Sequence, residues 1–203
     1  MKRLGILLSG RGSNFLAIHA AIRDGRLPNV EIAVVLSNKS DAPGLAAAQS
    51  LGLPAHHIPA AGRTPAERDL DFIALLNRHG VDLVCLAGYM RIVSPPFVAA
   101  FPNRILNVHP SLLPSFPGLD AQAQALESGA KIAGCTVHFV DERVDHGVII
   151  LQRAVPVLDG DTAETLAARI LVEEHQAYPE AIGRVLSGKY AIEDRRFLRN
   201  SEA

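Results

Sequence analysis

The sequence is short of cysteine, of long apolar runs and of net charge, and each shortage excludes a class of protein. Only two cysteines, Cys85 and Cys135, occur among 203 residues. Both lie in apolar segments, which fits buried free thiols in a reducing cytoplasm better than a disulfide framework. No apolar run approaches the roughly 18 residues of a membrane-spanning helix. The opening "MKRLGILLSGRGSN" begins with basic residues, but its apolar stretch is shorter than the roughly 7–15 residues of a signal peptide core. A glycine loop follows, so the stretch reads as a first core strand. The formal net charge of −1 offers no bulk attraction to nucleic acid or to an anionic membrane. No Cys/His set has metal-ligand spacing, and His56 and His57 point to opposite sides of a short strand, so no metal is expected. Repeats and low-complexity linkers are absent as well.

What remains is an ordinary globular chain, 48% hydrophobic and 20% charged, of a length that favours one domain. Its first half alternates apolar strands with helical patterns. "RLGILLS", "EIAVVLS", "AHHIP", "VDLVCLAG" and "RILNVH" read as strands. "SNFLAIHAAIRDG" has helical spacing at Phe15, Ile18 and Ile22, with Gly25 suited to its C-terminal end. "APGLAAAQSLG" is a second helix. "TPAERDLDFIALLNRHG" is a third, with Thr64 as N-cap, Pro65 in first position and Glu67 three residues after the cap. Apolar strands separated by helices indicate a mostly parallel, twisted sheet with helices on both faces, Rossmann-like in its N-terminal half. After Pro110 the pattern changes. A helix at "LDAQAQALESG" precedes "KIAGCTVHFV" and "GVIILQRAVPV", two long strands expected to be antiparallel. A long final helix over residues 162–186 contains Pro179, a position where kinking is expected. The tail "YAIEDRRFLRNSEA" reads as polar and partly disordered.

In open α/β sheets, ligands bind beyond the carboxyl ends of the strands. The segments there are residues 9–14, 37–39, 88–93 and 107–118, with the loop at 141–147 a further candidate. "SGRGSN" places glycines and N–H groups at a helix start, an arrangement that attracts phosphate, with a tight turn and N-cap as the less favoured alternative. Gly10 and Gly12 fit a dinucleotide fingerprint, but Phe15 holds its third glycine position and "SNK" ends the second strand where an acid would be needed. A single phosphate is therefore the better match. Asn107 and His109 alternate along one strand and share a face. An amide and an imidazole there can stabilise an oxyanion and move protons. Asp141 and Glu142 read as solvated loop acids. Asp145 is left open by the residues alone: near His109 it would favour a charged imidazole, but its sequence distance does not bring it there. Ser111 lacks a nucleophile-elbow context. His138 reads equally well as a core residue, and the cysteines read as packing.

Taken together, "LLSGRGSN", "SNK", "LAGYMRIV", "ILNVHPSLLPSFPGL", "VHFVDERVDHGVIILQ" and "EEHQAYP" resemble, in order and spacing, the phosphoribosylglycinamide formyltransferase family of folate-dependent enzymes. The resemblance covers roughly residues 4–186. It implies one formyltransferase domain over 1–203: a phosphate-binding half at 1–100, a catalytic and folate-binding half at 101–190, and a polar tail at 191–203. It also implies formyl transfer from 10-formyltetrahydrofolate, a cosubstrate, to the amine of 5'-phosphoribosylglycinamide in purine biosynthesis. Asn107, His109 and Asp145 would be the catalytic trio. Gly12, Ser13 and Asn14 would hold the phosphate, and Glu174 would meet the ribose. Met90, Arg91, Ile92, Val93, Asn107, Val140, Asp141 and Asp145 would line the folate pocket. The partners implied are small molecules, with the protein a monomer or homodimer in the cytoplasm.

Some positions depart from the family pattern. Relatives carry an arginine in "SREA" that contacts folate; here "GRTPAERD" offers Arg63 or Arg68. Asp120 and Gln122 stand where relatives have histidines in "PGLHTH", and Leu171 where some have a polar residue near the ribose. Three rivals remain in view. Methionyl-tRNA formyltransferase would need a further C-terminal domain, and formyltetrahydrofolate hydrolase an N-terminal regulatory one. A non-catalytic nucleotide-binding module would leave the trio without a purpose.

Overall fold

The computed structural model describes residues 1–59 and 62–200, in a mixed α/β fold. The chain forms two compact units, Met1–Asn107 and Val108–Ala203.

The first unit holds β1 (Lys2–Leu8), α1 (Ser13–Arg23), β2 (Val30–Ser37), α2 (Pro43–Ser50), β3 (Ala55–His57), α3 (Pro65–Arg78), β4 (Leu83–Leu86) and α4 (Pro95–Ala100). Its strands lie in the order β3-β2-β1-β4, followed by β5 (Ile105–His109), all parallel. Consecutive residues of β1 and β2 are buried, Leu4, Ile6, Leu7 and Leu8 completely. Burial on both pleats requires cover on both sides, as expected for parallel strands joined by helices. In α3 the Thr64–Glu67 capping box forms as the sequence predicts, with Pro65 opening the helix and Phe72 and Leu76 on its buried face. Helix α4 has no signal in the sequence: its six residues are too few for a helical period to be legible, and Pro95 and Pro96 set its start.

The second unit begins inside β5 at Val108 and continues with α5 (Ala121–Glu127), β6 (Ile132–Phe139), β7 (Ile149–Pro156), α6 (Ala163–Leu186), β8 (Tyr190–Glu193) and β9 (Arg196–Arg199). The β6–β7 pair is antiparallel, as expected. Helix α6 starts at a Thr162 cap and passes through Pro179 without interruption. The tail corrects the sequence reading. Instead of disordered chain, β8 and β9 form an antiparallel hairpin, and β9 pairs in parallel with β7 at Ile149 and Arg196. Packing outweighs the polar composition: Tyr190 stacks on Phe197 at 4.6 Å, and both rings lie against Phe139. Asp194 supplies the positive φ of 55° that the tight turn needs. Residues 201–203 of the expected tail lie outside the described residues.

Candidate functional site

At the end of β1, Gly12 takes the N-cap position of α1 with φ 74°. Gly12 brings no side chain to cap that terminus, and the start of a helix is a general site for an anion. The turn is held from two sides. Ser9 Oγ donates to Asn38 Oδ1 (2.6 Å) and accepts the Met90 N–H (2.9 Å), linking the carboxyl ends of β1, β2 and β4. The Gly44 N–H, in the first turn of α2, donates to the Gly10 carbonyl at 3.0 Å. A Cβ on Gly12 would stand 2.9 Å from Gly44 Cα, so two backbones meet here without room for a side chain. Gly44 escaped the sequence reading because the partner of a close approach is set by tertiary packing.

The stretch after β4 presents Met90 and Ile92 to solvent, 67% and 69% exposed, with Arg91 also exposed and Val93 buried. Met90 and Ile92 thus leave exposed apolar side chains two residues apart in this stretch. Beneath them lies a buried ion pair. Arg68 donates through Nε and Nη2 to Asp69 Oδ1 at 2.8 and 2.7 Å, and Nη2 also reaches the Ile92 carbonyl. Asp69 Oδ2 accepts the Ser94 N–H at 2.6 Å. Arg68 therefore braces this stretch from below. Arg63 is engaged with Asp71 at 2.7 Å and with the Glu67 carbonyl.

Asn107 and His109 close β5, on the same pleat, with Asn107 half-buried and His109 buried. His109 Nε2–H donates to the Phe116 carbonyl at 2.9 Å, and Nδ1 lies 3.4 Å from Asp145 Oδ2. An acceptor thus stands at each ring nitrogen. The same Asp145 oxygen accepts the Gly118 N–H at 2.8 Å, and the other lies 3.8 Å from His138 Nε2. His138 donates from Nδ1 to the Phe139 carbonyl. Its burial lowers its proton affinity, overcoming the opposing pull of that hydrogen bond and of Asp145. Sequence reading left His138 undecided; its alternation with Cys135 and Val137 along β6 resembles any buried strand.

The loop at 110–118 is fixed by an overlooked residue. Thr136 Oγ1 donates to the Ser111 carbonyl (2.6 Å) and accepts both the Leu113 N–H and Gln152 Nε2 at 3.0 Å. Gln152 also donates to the Leu113 carbonyl at 2.8 Å. In the neighbouring loop Asp141 accepts from His146 Nδ1 (2.8 Å) and from the Arg143 N–H (2.9 Å). Partial burial would raise its pKa, but these bonds and the nearby charge of Arg195 bring it below the ordinary value. Val140 is half-buried. A Cβ on Gly147 would fall 1.8 Å from the Phe139 carbonyl oxygen, so only glycine lets the loop return at that point. Glu174 is buried in α6, and its charge adds to burial in pushing the Cys135 thiol up to about 12. Such a thiol is no nucleophile near neutral pH. Among the described residues no cluster of His, Cys, Asp or Glu could hold a metal ion, and no helix is long and apolar enough to cross a membrane.

A sequence profile for formyl transferases matches residues 2–182. The chain is 48% identical over 189 residues to the trifunctional purine biosynthetic protein adenosine-3 of Drosophila pseudoobscura pseudoobscura, covering 92% of this chain and 14% of that protein. It is 42% identical over 191 residues to the chloroplastic phosphoribosylglycinamide formyltransferase of Arabidopsis thaliana, covering 91% of this chain and 65% of that one. The chain therefore spans less than two thirds of either relative. Among solved structures, glycinamide ribonucleotide transformylase 1 from Symbiobacterium toebii superposes with a TM-score of 0.96 at 54% identity, over 99% of this chain and 95% of that one.

Proposed function

The chain belongs to the formyl transferase family, and on that footing we propose that it moves the formyl group of 10-formyltetrahydrofolate to the amine of 5'-phosphoribosylglycinamide. The products are 5'-phosphoribosyl-N-formylglycinamide and tetrahydrofolate. The observation that carries the reading is the meeting of His109 and Asp145 at 3.4 Å, on a strand end that also bears Asn107.

In this reading the substrate amine attacks the formyl carbon and the carbonyl electron pair moves onto oxygen. Asn107 Nδ2–H and a protonated His109 donate to that oxyanion; removing one such donor typically costs on the order of 10²–10³ in turnover. For His109 to donate, the ligand oxygen exchanges with the Phe116 carbonyl now at Nε2. Asp145 balances the imidazolium charge and accepts a proton relayed from the attacking amine. The bond from the formyl carbon to folate N10 then breaks, and N10 takes up a proton. Gly12, Ser13 and Asn14 hold the ribonucleotide phosphate, and Glu174 accepts from ribose hydroxyls. Residues 90–93 and 140–145 contact the pterin. Two buried free thiols suit a cytoplasmic setting.

The test is a tetrahydrofolate-release assay with purified protein, 10-formyltetrahydrofolate and phosphoribosylglycinamide. Release is expected only with the amine present. Equal release without it would make the protein a hydrolase, and no release under either condition would refute formyl transfer.

A further inference from the structure

The tail hairpin reaches back to the loop that carries Asp145, and this contact does not belong to the chemistry described above. Arg195, at the turn between β8 and β9, donates from Nη2 to the His146 carbonyl at 2.6 Å. Its Nη1 lies against the His146 ring, 3.1 Å from Nδ1 and close to Nε2 as well. Arg195 and Asp145 also line one cavity of about 210 Å³, together with Leu113, Pro114, Gly147 and Ile149.

Asp145 stands to gain from such support. Its φ is 51°, the left-handed region, which aspartate visits more readily than most residues but still at a cost that glycine escapes. That conformation turns the carboxylate toward His109 Nδ1 and the Gly118 N–H. The next residue, His146, bears the carbonyl that Arg195 holds, one peptide beyond Asp145. If that carbonyl were released, Asp145 could relax to an extended conformation and its carboxylate would swing away from His109. On the far side, His146 is tied to Asp141, and Gly147 is packed on the Phe139 backbone. Arg195 is itself well anchored. Tyr190 and Phe197 stack together on Phe139, the last residue of β6, and Arg196 is in register with Ile149 of β7.

We propose that Arg195 is a positioning residue: through the His146 carbonyl it holds Asp145 in the left-handed conformation that aims its carboxylate at His109. The β8–β9 hairpin is thereby part of the working machinery. The kinetic half of this inference rests on the formyl-transfer reading, and the structural half does not.

Two measurements separate them. The first is amide hydrogen exchange at Gly118, whose N–H reports where the Asp145 carboxylate sits. It is expected to quicken in Arg195→Ala and to recover in part in Arg195→Lys, which keeps a donor for the carbonyl. The second is a double-mutant cycle in the formyl-transfer assay. Arg195→Ala is expected to lower kcat by roughly 10- to 100-fold, the size of effect that a misplaced group produces, with KM for phosphoribosylglycinamide unchanged. In an Asp145→Asn background the same change should alter kcat by less than about twofold, because a residue acting through Asp145 has nothing left to act on. Equal losses in both backgrounds, or unchanged Gly118 exchange in Arg195→Ala, would overturn the proposal. Quickened exchange in a protein that transfers no formyl group would refute the functional reading and leave the positioning role standing. Should Arg195→Ala not fold, Arg195→Gln carries the same comparison.

Discussion

The Asp145 carboxylate lies 3.4 Å from Nδ1 of His109, with both side chains nearly out of solvent. At that distance inside a protein, a carboxylate and an imidazole act as one unit. Replacing His109 by Asn or Asp145 by Asn should therefore lower kcat by roughly 10²–10⁴ each, the range of general acid–base contributions. The double variant should lose little beyond the worse single one. Steady-state kinetics would check this, with far-UV circular dichroism to show that each variant is folded. Multiplying losses in the double variant would mean that the two residues work separately.

Gly12→Ala should act on substrate binding. The new Cβ would sit 2.9 Å from Gly44 Cα at a φ of 74°, and a left-handed alanine costs about 1–2 kcal/mol by itself. The loop must shift away from α2, and the N–H groups at the start of α1 shift with it. KM for phosphoribosylglycinamide should rise about tenfold with kcat close to that of the parent, the signature of lost uniform binding. A fall in kcat at constant KM would detach this loop from the phosphate.

How much of this was legible in the sequence depended on whether the signal was local. The Thr64–Glu67 capping box, the alternation of Asn107 with His109 and the glycine turn before α1 involve residues a few positions apart, and each was readable. The pairing of Asp145 with His109 was not, since no periodicity spans the gap; a family resemblance supplied that expectation. Thr136 was invisible for a similar reason. A threonine in a strand signals only β-propensity, and its bonds to Ser111 and Leu113 exist because the loop folds back over β6. The hairpin was misread because charged residues dominate "IEDRR", while the aromatic residues that anchor it find their partner on a distant strand.

Arg68 and Asp69 offer a stability test. Their side chains are 5% and 2% exposed. Changing Arg68 to Met would leave a buried carboxylate uncompensated and should destabilise by about 3–5 kcal/mol. Replacing both, Arg68→Met with Asp69→Leu, should recover part of that loss, since an apolar pair of similar volume is often neutral. The double variant should still bind folate less tightly, because the bonds to the Ile92 carbonyl and the Ser94 N–H are gone. Urea unfolding measures the first effect and KM for 10-formyltetrahydrofolate the second. A double variant that restores both would show the pair to be structural only.

Three histidines set a further prediction, for stability against pH. Burial lowers the proton affinity of His138 and His175, and of His79, where the nearby charges of His56, Arg3 and Arg78 push the same way. His175 Nε2 is buried without a hydrogen-bond partner among the described residues, so nothing there rewards a charged ring. An unfolded histidine titrates near about 6.5. Above that pH both states are neutral and these groups contribute no pH dependence. As pH falls through it, the unfolded chain takes up protons that the folded one refuses, so stability is lost down to the lower folded pKa values and then levels off. Each group can contribute a slope of at most about 1.4 kcal/mol per pH unit. The depressed carboxylates Asp141 and Glu180 act with the same sign but in the acid range, below the ordinary carboxylate pKa. Loss of stability between about pH 7.5 and pH 5.5 therefore reports the histidines. Urea unfolding at several pH values should show stability falling across that window, and His175→Gln should make the fall shallower. A fall that is no shallower in His175→Gln would mean that this ring is not a buried neutral group.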